Sequence, residues 1–214
     1  MSALRVLGRA ASINVRKVLW TGVELGLDLA REDVDVKADA FRVLNPNAMM
    51  PVLIDAEGAT TAGGTPFSLW ESNSICRYLA RREGRDDLLP DEPQARARVE
   101  MWMDWQGGEL NNSWRYAFMA TVRKSALHQD PAQIESGVAN WNRHMAMLDE
   151  QLVRSGGPFV LGATFTLADI VLGLSAHRWR AAPIAHVELA AVEAWYQRLL
   201  TRPGFAEHGP AAGP

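Results

Sequence analysis

Apolar positions recur along this chain with two periods, and the change from one to the other divides it. Up to residue 82 the apolar runs are short and punctuated by turn residues. The run at 4–7 alternates poorly, but it is short, apolar and followed by Gly8, which predicts a first strand. Val15, Val18, Leu19 and Val23 fall on one side of a helix over about 14–25, and Gly26 ends it. The acidic, alternating stretch 30–36 predicts a second strand, and 41–44 a short helix or turn. Val52-Leu53-Ile54 reads as a short strand, Gly63-Gly64-Thr65-Pro66 as a reversal, and 67–70 as a returning strand. Ser72 suits the N-cap of a helix over 72–82 that turns Ile75, Cys76, Leu79 and Ala80 inward.

Residues 83–91 are polar, rich in turn formers and without period, as an interdomain linker would be. Beyond them the pattern is helical throughout. Val99, Trp102, Met103 and Leu110 keep helical spacing, with Gly107-Gly108 placed to kink or break the helix. Ile134, Val138, Trp141, Met145, Leu148 and Leu152 form the strongest amphipathic stripe. Thr166 and Asp169 make a capping box, with Phe165 and Ile170 placed as a hydrophobic staple. The helix they open is apolar nearly all round, so it belongs at the centre of a helical domain. A last helix is expected over about 186–201, and the tail HGPAAGP is expected to be disordered. The order βαβαββα is thioredoxin-like. The expected fold is therefore an α/β thioredoxin-like N-terminal domain (1–82), a linker (83–91), an all-α helical domain (92–208) and a tail (209–214).

Composition narrows the function classes. The 214 residues are 48% hydrophobic and 22% charged, ordinary for a globular protein. A net charge of −3 speaks against nucleic acid or an anionic membrane as partner. No apolar run is long enough to span a bilayer, and the first twenty residues lack the apolar core of a secretory signal. One cysteine, Cys76, excludes an intrachain disulfide and dithiol exchange within the chain. It fits a reducing, cytoplasmic setting. Its inward position makes it a structural thiol. The five histidines show no short-spaced pairing, so no metal is expected.

Two details make a candidate site of the stretch 45–78. Pro51 stands just before a strand, and a cis Met50–Pro51 bond is expected. Met50 would then turn its N–H and C=O outward, where an extended peptide-like ligand could pair with them. Glu71-Ser72 lies where a strand ends and a helix begins: the helix N-terminus offers N–H groups to a carboxylate, and the Glu71 carboxylate can hold an ammonium. One ligand with a carboxylate and an ammonium on one carbon, attached to a peptide backbone, meets all three features. A γ-glutamyl peptide fits that description better than a nucleotide. The plainer alternative is a loop end and an ordinary cap.

Asn45-Pro46 with Met50-Pro51-Val52-Leu53, followed by Leu69, Glu71-Ser72, Ile75 and Tyr78-Leu79-Ala80, resembles the glutathione site of the cytosolic glutathione S-transferases. Arg9, Ser12, Asn14-Val15 and Lys17-Val18 are similar to the serine-type bacterial theta/nu-like branch of that family. The resemblance implies a cytoplasmic, dimeric detoxification enzyme with glutathione as co-substrate and an apolar electrophile as partner. It implies that Ser12 activates the glutathione thiol, assisted or replaced by Asn14. Met50, Pro51, Glu71 and Ser72 would bind glutathione, and Asp104 would reach the glutamyl amine in the other subunit. Trp105, Trp114, Arg115 and Phe118 become candidates for the second-substrate pocket, or equally for core or dimer contacts. In many relatives a Lys or Arg two residues before the proline reaches the glycine carboxylate; here that residue is Met49. Arg42 could supply the charge, binding could be weaker, or the ligand could be modified. An isomerase, dehalogenase or disulfide reductase of the same fold stays open, as does a non-catalytic glutathione-binding regulator.

Overall fold

The computed structural model describes residues 3–58 and 66–212. The Gly63–Thr65 part of the expected reversal lies outside them. The chain opens with β1 (Leu4–Leu7), α1 (Ile13–Leu25), β2 (Leu29–Glu32), α2 (Asp39–Leu44), β3 (Val52–Asp55), β4 (Phe67–Trp70) and α3 (Ser72–Arg82). The strands form one mixed sheet in the order β2-β1-β3-β4. β1 pairs in parallel with β2 and antiparallel with β3, where Leu7 faces Val52, and β3 pairs antiparallel with β4. This is the thioredoxin-like order expected. Strand alternation sends Leu4, Val6 and Leu53 to the main core and Leu7, Val52 and Ile54 to a smaller one closed by Phe41 of α2. The second strand stops at Glu32, short of the expected Val36.

Residues 83–91 do more than connect. Leu88 and Leu89 are buried in the main core, and Leu88 C=O accepts a hydrogen bond from Leu167 N–H at 3.0 Å. The helices α4 (Pro93–Trp105) and α5 (Asn111–Thr121) then run on through a π-helical turn, Gln106–Leu110. The glycine pair thus changes the winding without breaking the rod. α6 (Pro131–Ser155) carries the amphipathic stripe; Trp141, Met145, Leu148 and Leu152 are buried. α7 (Leu167–Ala181) is buried from Leu167 to Trp179. Its Asp169 accepts from the N–H groups of Thr166 and Val160, the Thr166 hydroxyl and Trp195 Nε1, at 2.9–3.2 Å.

The chain ends with α8 (Ala190–Leu200), α9 (Pro203–His208) and a 3₁₀ turn, Pro210–Ala212. Two expectations are corrected here. The last helix of the reading is α8, shorter than expected, and α9 follows it because Pro203 suits a first helical turn. Residues 208–212 of the tail are ordered, since the Arg16 guanidinium donates to the carbonyls of His208 and Gly209 at 3.4 and 3.3 Å.

The two halves share one core. Trp20 of α1 is fully buried, 5.9 Å from the Phe165 ring and 4.8 Å from Phe205 of α9. Small residues line the indole: a Cβ on Gly204 would come within 2.3 Å of it, which bars any side chain there, and one on Gly173 of α7 within 3.1 Å, a tight contact. Among the described residues no helix is long and apolar enough to cross a membrane.

Candidate active site at two uncapped helix ends

The loop from β1 to α1 turns at Gly8, whose φ of 154° suits glycine. A Cβ there would strike Val15 at 2.5 Å and Met50 at 3.1 Å. The Arg9 N–H meets Met50 Sδ at 3.3 Å. These contacts bring the start of α1 against the Met50–Pro51 loop. The Met50–Pro51 peptide bond is cis. Asn45 Nδ2 holds the loop from inside by donating to Met49 C=O at 2.6 Å. Pro51 is buried, and Met50 stands before the first ladder pair, so its N–H and C=O make no backbone hydrogen bond among the described residues.

Ser12 is the N-cap residue of α1 and is half-buried. Its hydroxyl makes no capping bond, and no hydrogen bond to it is found among the described residues. The start of α3 is similar, with a correction: the N-cap is Glu71, and Ser72 is the first helical residue. Glu71 has φ 72° and ψ 110°, a left-handed backbone that costs a non-glycine residue about 1–3 kcal/mol. That twist takes its side chain off the helix end, and the carboxylate caps nothing. The other acidic N-caps behave differently. At the N-caps of α4 and α6, Glu92 and Asp130 accept from the backbone N–H groups of their own helices at 2.7–3.0 Å. The ends of α1 and α3 carry no side-chain cap, as is also true of α2, α8 and α9.

A cleft of about 310 Å³ runs between these ends, lined by Asn14, Lys17, Glu71, Ser72, Arg77 and Asp104, with Asn73, Ser74, Gly107 and Asn111. It joins four of the residues read from the sequence: Asn14, Glu71, Ser72 and Asp104. Ser12, Met50 and Pro51 border the same end of the sheet but do not line the cleft. Asp104 is exposed and paired with Arg77 of its own chain. The pocket candidates divide. Trp105 packs on Trp102 and His144, and Arg115 is exposed. Trp114 and Phe118 are buried together under the Arg178 guanidinium, in the body of the helical domain. Met49 is exposed, as is Arg42 in the last turn of α2.

The sequence names Lys17 within the motif but assigns it no role. Its Nζ is buried and donates to Gln106 Oε1 at 2.6 Å and Asn73 Oδ1 at 3.2 Å. Burial lowers its pKa from 10.5 to about 7. Gln106 in turn donates to Ser175 Oγ at 3.0 Å, so a polar chain links α1, α3, the π-helical turn and α7 beneath the cleft. The signal was there, a lysine one turn into a helix whose other face is apolar, but such a residue reads as solvated. Cys76 is wholly buried, and burial pushes its thiol up to about 11, too high for a nucleophile at neutral pH. Among the described residues no cluster of three or more His, Cys, Asp or Glu side chains could hold a metal.

A thioredoxin-like sheet with a cis-proline loop, followed by a helical second half, is the architecture that the sequence resemblance implies. Comparison with known proteins agrees. Residues 11–82 match the family model for the glutathione S-transferase N-terminal domain, and 131–198 that for the C-terminal domain. Over 201 residues, 92% of either chain, the sequence is 34% identical to glutathione S-transferase GstB of Escherichia coli strain K12. It is 29% identical over 209 residues to the disulfide-bond oxidoreductase YfcG of the same strain, covering 92% of this chain and 91% of that one. The crystal structure of the theta class glutathione S-transferase of Xanthomonas axonopodis pv. citri with glutathione bound matches with a TM-score of 0.86 at 34% identity, over 97% of each chain. The chain belongs to the glutathione S-transferase family.

Proposed function

We propose that this protein is a cytoplasmic, homodimeric glutathione transferase that ionises the glutathione thiol beside Ser12 and directs the sulfur at a small electrophile with an apolar body. In this reading the Met50 backbone pairs with the tripeptide main chain. The α3 N-terminus takes the glutamyl carboxylate, Glu71 takes its ammonium, and Asp104 reaches the ammonium held in the partner subunit. The cysteine sulfur then lies at the α1 N-terminus. The Ser12 hydroxyl donates to the thiolate, and the helix dipole adds positive potential; both favour the charged form. Lowering the thiol pKa by one unit from its free value of about 8.5 raises the thiolate fraction at neutral pH about eightfold. Sulfur forms the new bond and the leaving group departs with its electron pair. Arg42 is the nearest exposed cation in sequence for the glycine carboxylate.

The observation that carries this reading is the pair of unused caps, Ser12 and Glu71, in a chain that elsewhere uses its acidic N-caps. Ultraviolet titration of the protein–glutathione complex tests it. Ser12→Ala is expected to raise the bound thiol pKa by about one unit and slow conjugation of a generic aryl halide about tenfold. An unchanged titration would remove Ser12 as activator, and Asn14→Ala then becomes the variant to measure. Turnover of a glutathione-mixed disulfide in place of the aryl halide would assign the chain to disulfide reduction.

A further inference from the structure

The cleft between the helix ends has a buried amine in its wall. Lys17 of α1 lines it together with Glu71 and Ser72, although the residue is only 1% exposed. Its Nζ donates to two neutral amides, Asn73 of α3 and Gln106 of the π-helical turn, and forms no ion pair among the described residues. A buried cation without a counter-charge is costly.

The two amides are not free to turn. Asn73 Nδ2 donates to Met103 C=O at 2.7 Å. Gln106 Nε2 donates to Ser175 Oγ at 3.0 Å and to Asn111 Oδ1 at 3.2 Å. Both amide oxygens are therefore left for Lys17, whose nitrogen donates twice. A neutral amine and an ammonium can each do this. They differ at the third position, which is a lone pair in the amine and a charged N–H in the ammonium. Burial, with Arg178 of α7 adding to it and Cys76 and Glu71 of the α3 start opposing it, holds the two forms close to balance near neutral pH. Cys76 is itself an uncharged thiol there. The other charged residues lining the cleft, Arg77 and Asp104, pair with each other. An anion entering beside the α3 N-terminus meets the positive helix end and favours the ammonium.

We infer that Lys17 is a specificity residue of this cleft: its ammonium, fixed by Asn73 and Gln106 beside the start of α3, is the counter-charge of the ligand's glutamyl α-carboxylate. The inference rests on the glutathione reading of the cleft and adds a residue to which that reading gives no part. Glu71 then selects the ammonium of the head group and Lys17 its carboxylate, so each half of the zwitterion has its own charged partner.

Thioethers without a titrating thiol separate the two contacts. S-Hexylglutathione carries both charges. Replacing its γ-glutamyl group with glutaryl removes the ammonium; replacing it with 4-aminobutanoyl removes the α-carboxylate. In calorimetric titrations at about pH 6.5, Lys17→Met is expected to weaken S-hexylglutathione and the glutaryl compound about tenfold or more, and the 4-aminobutanoyl compound less than about twofold. Equal losses for all of them would make Lys17 structural and overturn the inference, as would unchanged affinities. The unaltered protein decides the matter if Lys17→Met does not fold. The chain has three lysines, and Lys37 and Lys124 are exposed. Carbon NMR of protein labelled at lysine Cε can therefore follow Lys17. Its titration midpoint is expected to rise by about one pH unit or more with the glutaryl compound bound, and not to rise with the 4-aminobutanoyl compound. A midpoint that the glutaryl compound leaves in place overturns the inference, while bound S-hexylglutathione keeps the glutathione reading standing. Failure of S-hexylglutathione to bind overturns that reading, and the part of Lys17 with it.

Discussion

Glu71 is a residue whose backbone and side chain pull in opposite directions. Its left-handed conformation is a cost to the fold, while the freed carboxylate is the feature the proposed ligand needs. Glu71→Gly is therefore expected to raise stability by about 1 kcal/mol and at the same time to abolish retention on immobilised glutathione. Thermal melting and affinity chromatography on the same preparation check it; a variant that loses both would make Glu71 a structural residue. The sequence made Ser12, Met50-Pro51 and Glu71-Ser72 legible because each belongs to a short local pattern. It placed the cap one residue late, since Ser is the better cap former and only the backbone reveals that Glu71 occupies the position. The buried cations were not legible at all. Arg16 and Lys17 sit on the polar side of an amphipathic helix, and nothing local says that this side is covered by segments 89 and 193 residues away.

Elements are legible where their signals are local. The bounds of α3 and the capping box of α7 follow from local pattern, whereas β2 ends at Glu32, before the acidic alternation that predicts it does. The box itself is more than a cap. Asp169 serves four donors drawn from the preceding loop, its own helix start and α8. Asp169→Ala leaves buried N–H groups of Val160 and Trp195 without acceptors, and is expected to cost about 3 kcal/mol or more in a denaturant titration. A loss under 1 kcal/mol would mean that the cap is redundant with the packing of α7.

The whole molecule depends on a junction that sequence periodicity described only from one side. Residues 83–91 looked like a connector, yet Leu88 and Leu89 are buried, and Trp20 reaches from the first half into the second. Trp20→Ala is expected to cost about 4 kcal/mol, and circular dichroism and tryptophan fluorescence should still report one shared unfolding transition. Two separated transitions would show that each half stands alone. Lys17 gives the junction a pH dependence. Between about 7 and 10.5 the unfolded chain holds a proton on this lysine that the folded chain does not, so its contribution makes stability rise with pH across that window. The limiting slope is about 1.4 kcal/mol per pH unit. Lys17→Met should flatten the rise in denaturant midpoint between pH 7 and 9; parallel profiles for the two proteins would show that Lys17 is charged in the fold.

One helix, α1, presents Ser12 at its tip and wedges Trp20 against Gly173 and Gly204 along its flank. Chimeras that graft the first eighty residues onto another family member's helical half must therefore carry a glycine opposite Trp20 where Gly204 stands, and a small residue where Gly173 stands. Without them the indole has no seat, α1 is displaced, and the hydroxyl at its tip moves with it.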